Sequence, residues 1–167
     1  MQTSTLRMRV PAFAVLWTVS VVVLTLAAAP RFGLGAEKKN KKTMLIHVAS
    51  GPEDNESKAA LSFLVGKAAF AEGYEQVNIF LAGDAVYLLQ ESTLNSLVGK
   101  GTGVLKESYS AIIAAGGTFF VSGMSCKARG ISPEEFSNLN PGASPVTFEM
   151  PSKLIALVEE ADAVFYY

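Results

Sequence analysis

The residues best suited to chemistry stand together in one short stretch. Residues 123–130 read Gly-Met-Ser-Cys-Lys-Ala-Arg-Gly and contain Cys126, the only cysteine of the 167-residue chain. Lys127 follows directly, and Arg129 is the only arginine after residue 31. Nearby cations favour the thiolate, the nucleophilic form of cysteine. The stretch therefore predicts a reactive Cys126 with a pKa below the free value of about 8.5. The alternative is a small apolar filler of the core, common for unpaired cysteines.

Other candidates for chemistry are weaker. His47, the only histidine, lies inside an apolar run that is more typical of a core histidine than of a catalytic one. The glycine-rich residues 99–103 lack the order of a phosphate-binding loop and are interpreted as a flexible loop. One cysteine and one histidine exclude an intramolecular disulfide and a four-ligand zinc site, and no G-x-S-x-G motif presents a serine nucleophile. We predict no metal and no cofactor.

The elements that must position these residues follow from apolar periodicity. Strands separated by helix-length segments, with both strand faces apolar, predict one α/β domain over residues 43–167: a mostly parallel sheet with helices on both faces. In such a sheet the loops after the strands carry the chemistry. Those loops are expected at residues 50–54 (Ser-Gly-Pro-Glu-Asp), at Gly83-Asp84 and at residues 123–130. The predicted strands are 43–49, 76–82, 118–122, 146–149 and 163–167, and the predicted helices are 57–72, 102–115 and 152–160, with a short apolar piece at 84–90 and a capping box at 132–135.

The N-terminal segment is set apart from the domain. Residues 10–29 carry no charge and follow Arg7 and Arg9. This layout predicts that residues 1–36 are an export signal cleaved after Ala36, or else a membrane anchor, because about 20 apolar residues can span a bilayer. Residues 37–42 are interpreted as a basic linker. The protein is thus expected to be exported, periplasmic or secreted, or anchored by residues 10–29.

Charge and exposed apolar stretches bear on partners. Residues 37–167 contain 11 basic and 15 acidic side chains, which argues against a nucleic-acid partner. The stretches Val86-Tyr87-Leu88-Leu89 and Val164-Phe165-Tyr166-Tyr167 add more large apolar side chains than a small domain readily buries. They predict a homo-oligomer.

Four short motifs resemble the DsrE/DsrF-like family of small sulfur-handling proteins. They are HVASGP at 47–52, FLAGD at 80–84, SGMS at 122–125 and KARGI at 127–131, in the family's order. The resemblance implies a five-stranded sheet, homo-oligomeric assembly and, in several members, a cysteine that carries sulfur as a persulfide. Members place that cysteine eight or five residues before the glycine that is Gly130 here. Those positions are Ser122 and Ser125, and Cys126 stands one residue beyond the second.

Three functions remain open from the sequence. The first is a sulfur carrier or thiol relay, at most sulfurtransferase-like, in which Cys126 holds a persulfide for a donor or acceptor protein. The second is a non-enzymatic oligomeric binding module with a pocket for a small anion or a partner loop. The third is a redox role such as peroxide or thiol sensing. The residues expected to line the loop or bind the anion are Ser50, Gly51, Ser122, Ser125, Lys127, Arg129 and Gly130.

Overall fold

The computed structural model describes residues 41–136 and 146–167. The predicted export signal or anchor, residues 1–36, and most of the linker at 37–42 lie outside the described residues. Within the described ranges, no helix combines the length and apolarity that a membrane crossing requires.

Helices and strands alternate along the domain. The strands of the main sheet are β1 (Thr43–Val48), β2 (Gln76–Leu81), β5 (Thr118–Ser122), β6 (Thr147–Glu149) and β7 (Ala163–Tyr166), and a hairpin is formed by β3 (Val98–Gly99) and β4 (Gly103–Val104). The α-helices are α1 (Glu56–Ala71), α2 (Glu91–Ser96), α3 (Leu105–Ala114), α4 (Gly123–Ala128) and α5 (Pro151–Glu160), with 3₁₀ helices at Gly83–Leu89 and Pro133–Phe136.

The main sheet has five strands in the order β6-β5-β2-β1-β7, and all its pairings are parallel. This confirms the predicted single α/β domain with a five-stranded parallel sheet and helices on both faces. In a parallel sheet all carboxyl ends meet at one edge, so the loops after β1, β2 and β5 are brought together there.

The two faces of the sheet are covered unequally. From β1 through β2 and β5 to β6 the chain moves across the sheet in one direction, and right-handed crossovers then place the helices that follow β1, β2 and β5 on the same face. Only the return from β6 to β7 runs the other way, and it carries α5. The larger core therefore lies on the first face, around Ile46, Phe63 and Phe119. The smaller one, around Leu45 and Leu157, lies on the second face.

Two segments differ from the sequence prediction. The helix expected from residue 102 begins at Leu105, because residues 98–104 form the β3–β4 hairpin, in which Gly101 and Gly103 have positive φ angles of 78° and 75°. The predicted flexible glycine-rich loop is thus a hairpin. The stretch 123–130, expected to be a loop, contains the helix α4.

Candidate functional site at the carboxyl edge of the sheet

The loops after β1 and β2 touch at a point where only glycine fits. A Cβ placed on Gly51 would lie 2.6 Å from the Cβ of Asp84, far inside van der Waals contact. Gly83, just before Asp84, has φ +56°, a left-handed conformation that glycine adopts without strain. The two glycines therefore let the backbones of both loops approach and place Asp84 at the centre of the edge.

The loop after β2 is joined to α4 through two serines. Ser125 Oγ accepts a hydrogen bond from the Gly83 backbone N–H at 3.0 Å. Ser122 is the N-cap of α4, and its Oγ accepts from the Ser125 N–H at 3.2 Å. Both hydroxyls thus serve as acceptors for backbone N–H groups that hold the edge together. These are the two positions at which the family resemblance places a cysteine.

Arg129 completes this connection with its charge. Its Nε lies 2.8 Å and its NH2 2.7 Å from Asp84 Oδ1, and its NH1 donates to the Ser125 carbonyl at 3.2 Å. The side chain of Arg129 is 24% exposed and that of Asp84 is 48% exposed. Asp84 therefore neutralises the arginine expected to bind an anion. Lys127 is exposed on α4, Gly130 follows the end of α4 at φ +68°, and Ser50 is half-buried.

Cys126 points away from this edge. It is 1% exposed and belongs to the larger core together with Ile131 and Phe136. On an α-helix one residue corresponds to a rotation of about 100°, so the residue after Ser125 faces inward. Burial raises the pKa of the Cys126 thiol to about 11; Arg129 lowers it by Coulomb attraction but does not compensate, and Glu135 raises it further. The expectation of a lowered pKa is therefore wrong, since desolvation outweighs the neighbouring cation.

Two clefts are lined by residues of the loops and helices at this edge. The first has a volume of about 520 Å³, and its lining is acidic. The second, of about 610 Å³, is mainly apolar and lies between α4 and the start of α5. The acidic cleft is lined by Pro52, Glu53, Asp54, Asp84, Tyr87, Gln90 and Thr93, and the apolar groove by Gly123, Met124, Lys127, Ala128 and Met150.

His47 lies away from both clefts, on the second face of the sheet. Its ring meets those of Phe80 and Tyr166 edge-on, with centroids 5.9 and 5.0 Å apart. Burial lowers its pKa, and its Nε2 has no hydrogen-bond partner among the described residues. This placement agrees with a core histidine rather than a catalytic one. In residues 41–136 and 146–167, no cluster of three or more His, Cys, Asp or Glu is arranged to hold a metal ion.

The sequence-predicted residues are thus partly assembled. Gly51, Ser122, Ser125 and Arg129 share the carboxyl edge, whereas Cys126 is buried beneath it. The sequence reasoning missed the acidic lining, although Glu53, Asp54 and Asp84 stand in the loops that it selected. A signal was present: three carboxylates follow the first two strands, and only one arginine follows the third.

The fold and this edge define a small α/β protein of the open parallel-sheet class. The chain belongs to the DsrE/DsrF-like family, whose model matches residues 42–167. The fold resembles the crystal structure of the ychN protein from E. coli, with a TM-score of 0.56 and 17% identity over 75% of this chain and 99% of that one. It also resembles BT1422, a conserved protein of unknown function from Bacteroides thetaiotaomicron, with a TM-score of 0.52 and 16% identity over 75% of this chain and 95% of that one. Among curated proteins, none matches the chain.

Proposed function

We propose that this DsrE/DsrF-like protein is a non-enzymatic, oligomeric binding module whose acidic cleft receives a positively charged loop of a partner protein. The observation that supports it is the pairing of Arg129 with Asp84. This pair neutralises the arginine of the edge, while Glu53 and Asp54 remain along the cleft. Complementary charge is what steers and orients a partner at such a surface.

Of the two ligands considered from the sequence, the partner loop is better supported than the small anion. An anion needs a free cation to bind to, but Arg129, the cation expected to bind it, already faces the carboxylate of Asp84. A lysine or arginine entering the cleft meets carboxylates instead. Tyr87 and Gln90 line the same cleft and add an aromatic surface and a polar group for its contacts.

The test is binding of a short arginine- and lysine-rich peptide, measured by fluorescence anisotropy at low and high salt. Glu53→Gln removes a charge from the cleft at an exposed position and is expected to weaken binding about two- to fivefold at low salt. Glu75→Gln, an equal change at the amino end of β2 on the opposite edge, is the matched control and should leave affinity unchanged. Absence of binding, or equal effects of the two variants, would contradict the proposal.

A sulfur carrier is the second candidate, because Arg129 is near enough to lower the pKa of Cys126 by Coulomb attraction. A carrier must expose its thiol to a donor, and burial opposes that. The test is to treat the purified protein with a sulfane-sulfur donor and to measure its intact mass by mass spectrometry. The binding module predicts no gain, whereas a gain of one sulfur atom per chain that Cys126→Ser abolishes would favour the carrier.

Location and assembly complete the proposal. We propose that residues 1–36 direct export or anchor the chain, since an uncharged run follows two arginines at 10–29. The intact mass of the native protein tests this: a soluble cytoplasmic form that retains the N-terminus would contradict it.

We also propose a homo-oligomer, supported by the exposed side chains of Val164, Phe165 and Tyr166. Val86, Leu88 and Leu89 are fully buried in the fold, so that part of the predicted interface is wrong.

A further inference from the structure

We infer that β7 is a self-association edge, on which the β7 strands of two copies pair antiparallel across a two-fold axis. The inference rests on the proposed homo-oligomer and goes beyond it by naming the strand, the register and the contacts. It begins from the strand order, in which β7 is a terminal strand that pairs only with β1 among the described residues.

The hydrogen-bond pattern of β7 shows which groups face outward. The Tyr167 N–H donates to His47 and the Tyr167 carbonyl accepts from Ala49, so Tyr167 is bonded to the β1 side. Along a strand in a parallel pair, alternate residues direct their backbone groups to the same neighbour. Phe165 therefore also faces β1. Val164 and Tyr166 direct their N–H and C=O groups to the open edge.

The side chains of this edge lack the usual protection against pairing. Val164, Phe165 and Tyr166 are 48%, 41% and 70% exposed, and residues 163–167 carry no charged side chain. The other terminal strand, β6, has only three residues, includes Glu149, and is followed by Pro151. Short length, charge and proline are the features by which edge strands avoid association. β6 has all three, and β7 has no charge or proline.

A second copy fits this edge by symmetry. In an antiparallel pair centred on Phe165, Val164 lies opposite Tyr166 of the other copy, and both residues have outward backbone groups. They form two hydrogen-bonded pairs, one on each side of the axis. Each pair also joins a β-branched to an aromatic side chain, a favourable cross-strand combination. Because the strand is uncharged, two copies meet without like-charge repulsion from its side chains.

The same register makes a specific prediction for Phe165. It faces its own symmetry mate as a non-hydrogen-bonded pair, with Cα atoms about 4.5 Å apart, which is within the range that a disulfide spans. In the full chain carrying Cys126→Ala, Phe165→Cys should form a disulfide-linked dimer under mild oxidation, at least tenfold faster than Val158→Cys, a slightly more exposed apolar position on α5. Non-reducing electrophoresis measures the rates.

A charge on the edge provides the second measurement. Val164→Lys should shift the oligomer toward smaller species by light scattering, whereas Val158→Lys should not. If the wild type is monomeric at micromolar concentration, both the proposed oligomer and this inference are wrong. If the oligomer persists in Val164→Lys and Phe165→Cys crosslinks no faster than its control, the oligomer stands and the β7 edge is overturned. The chain without residues 1–40 is compared with the full chain in the same way. If the shortened chain forms an oligomer and the full chain does not, the N-terminal segment occupies the edge in the full chain, and the inference is also overturned.

Discussion

The buried thiol yields the most decisive prediction. Native Cys126 should react far more slowly with an aromatic disulfide reagent at pH 8 than the same cysteine in the chain unfolded by urea. The structure gives two reasons. The side chain is 1% exposed, and burial raises its pKa to about 11. The thiolate, which is the attacking species, is therefore scarce, and the reagent has no direct path to it.

The magnitude follows from ionisation first. At pH 8 a pKa of about 11 leaves roughly one thiol in a thousand as thiolate. A free cysteine with a pKa of about 8.5 leaves about one in four, which is a difference of about 200-fold. A more basic thiolate is also more nucleophilic, so each thiolate attacks about tenfold faster and part of this difference is offset. Ionisation alone thus predicts about 20-fold slower reaction, and the need to open the core before attack slows it further.

A residue exchange supplies the matched control. The double variant Ser125→Cys with Cys126→Ser moves the thiol one position along α4, to a half-buried site at the carboxyl edge. It should react faster than the wild type in the folded state, and both proteins should react alike in urea. A native wild-type rate within threefold of the unfolded rate would refute the reasoning from burial.

The same pKa shift predicts a pH dependence of stability. The folded pKa of Cys126 is raised above its value in the unfolded chain, so the native state keeps the proton that the unfolded state loses. The contribution to the free energy of unfolding is complete below about pH 9 and is lost as pH rises toward 11, by about 3 kcal/mol. Cys126→Ala should lack this decline. Other groups titrate equally in both proteins, so the difference between their urea midpoints isolates the thiol.

Three further predictions test the carboxyl edge and the second face. Gly51→Ala should destabilise the domain by about 1–3 kcal/mol in urea titration, because its Cβ would meet that of Asp84. Gly123→Ala should cost little, since its Cβ would lie 3.7 Å from the nearest atom, the Glu149 carbonyl oxygen. Equal effects of the two variants would contradict the close approach. Arg129→Gln should cost at most about 1 kcal/mol, because the ion pair with Asp84 is partly exposed, and should strengthen binding of the basic peptide by freeing a carboxylate; weaker binding would count against the acidic cleft. Burial lowers the folded pKa of His47, so its contribution to stability is present above about pH 6.5 and is lost as pH falls below that value. In His47→Gln the urea midpoint should therefore change less between pH 7 and pH 5 than in the wild type. An equal change in both proteins would exclude this histidine as the cause.

Much of the fold was predictable because its local signals are strong. Each strand of the main sheet is a short apolar run, and α1 shows a helical repeat of small and apolar residues closed near Gly73. The helix start predicted at 132–135 is also found, with one bond of the capping box: the Ser132 N–H donates to Glu135 Oε1 at 3.0 Å. The sequence predicted the start of α3 at residue 102 rather than at Leu105, because the hairpin before this helix is formed by packing against α1 and not by a local signal. A Cβ on Gly99 would meet that of Ala60 at 2.3 Å, a contact between distant segments.

The site shows where local reasoning stops. The sequence placed the loops after β1, β2 and β5 at one edge because parallel strands require it. It also placed Cys126 beside two cations and so predicted a lowered pKa. Burial reversed that prediction, because the orientation of a side chain on α4 depends on the helical phase set by the Ser122 cap. Likewise, the partner of Arg129 is Asp84, 45 residues away.

The sequence by itself determined the order of the elements, the parallel sheet, the edge at which the loops meet and the family resemblance, because each of these depends on periodicity and on motifs within a few residues. The tertiary structure decided which side chains reach that edge, which thiol is desolvated, which charges cancel and which apolar stretch is exposed. Val86 to Leu89 and Val164 to Tyr166 look alike in the sequence, yet the first is buried and the second lies on an open edge. The reason is that burial and charge pairing are properties of contacts between distant segments, and those contacts exist only once the chain has closed around its core.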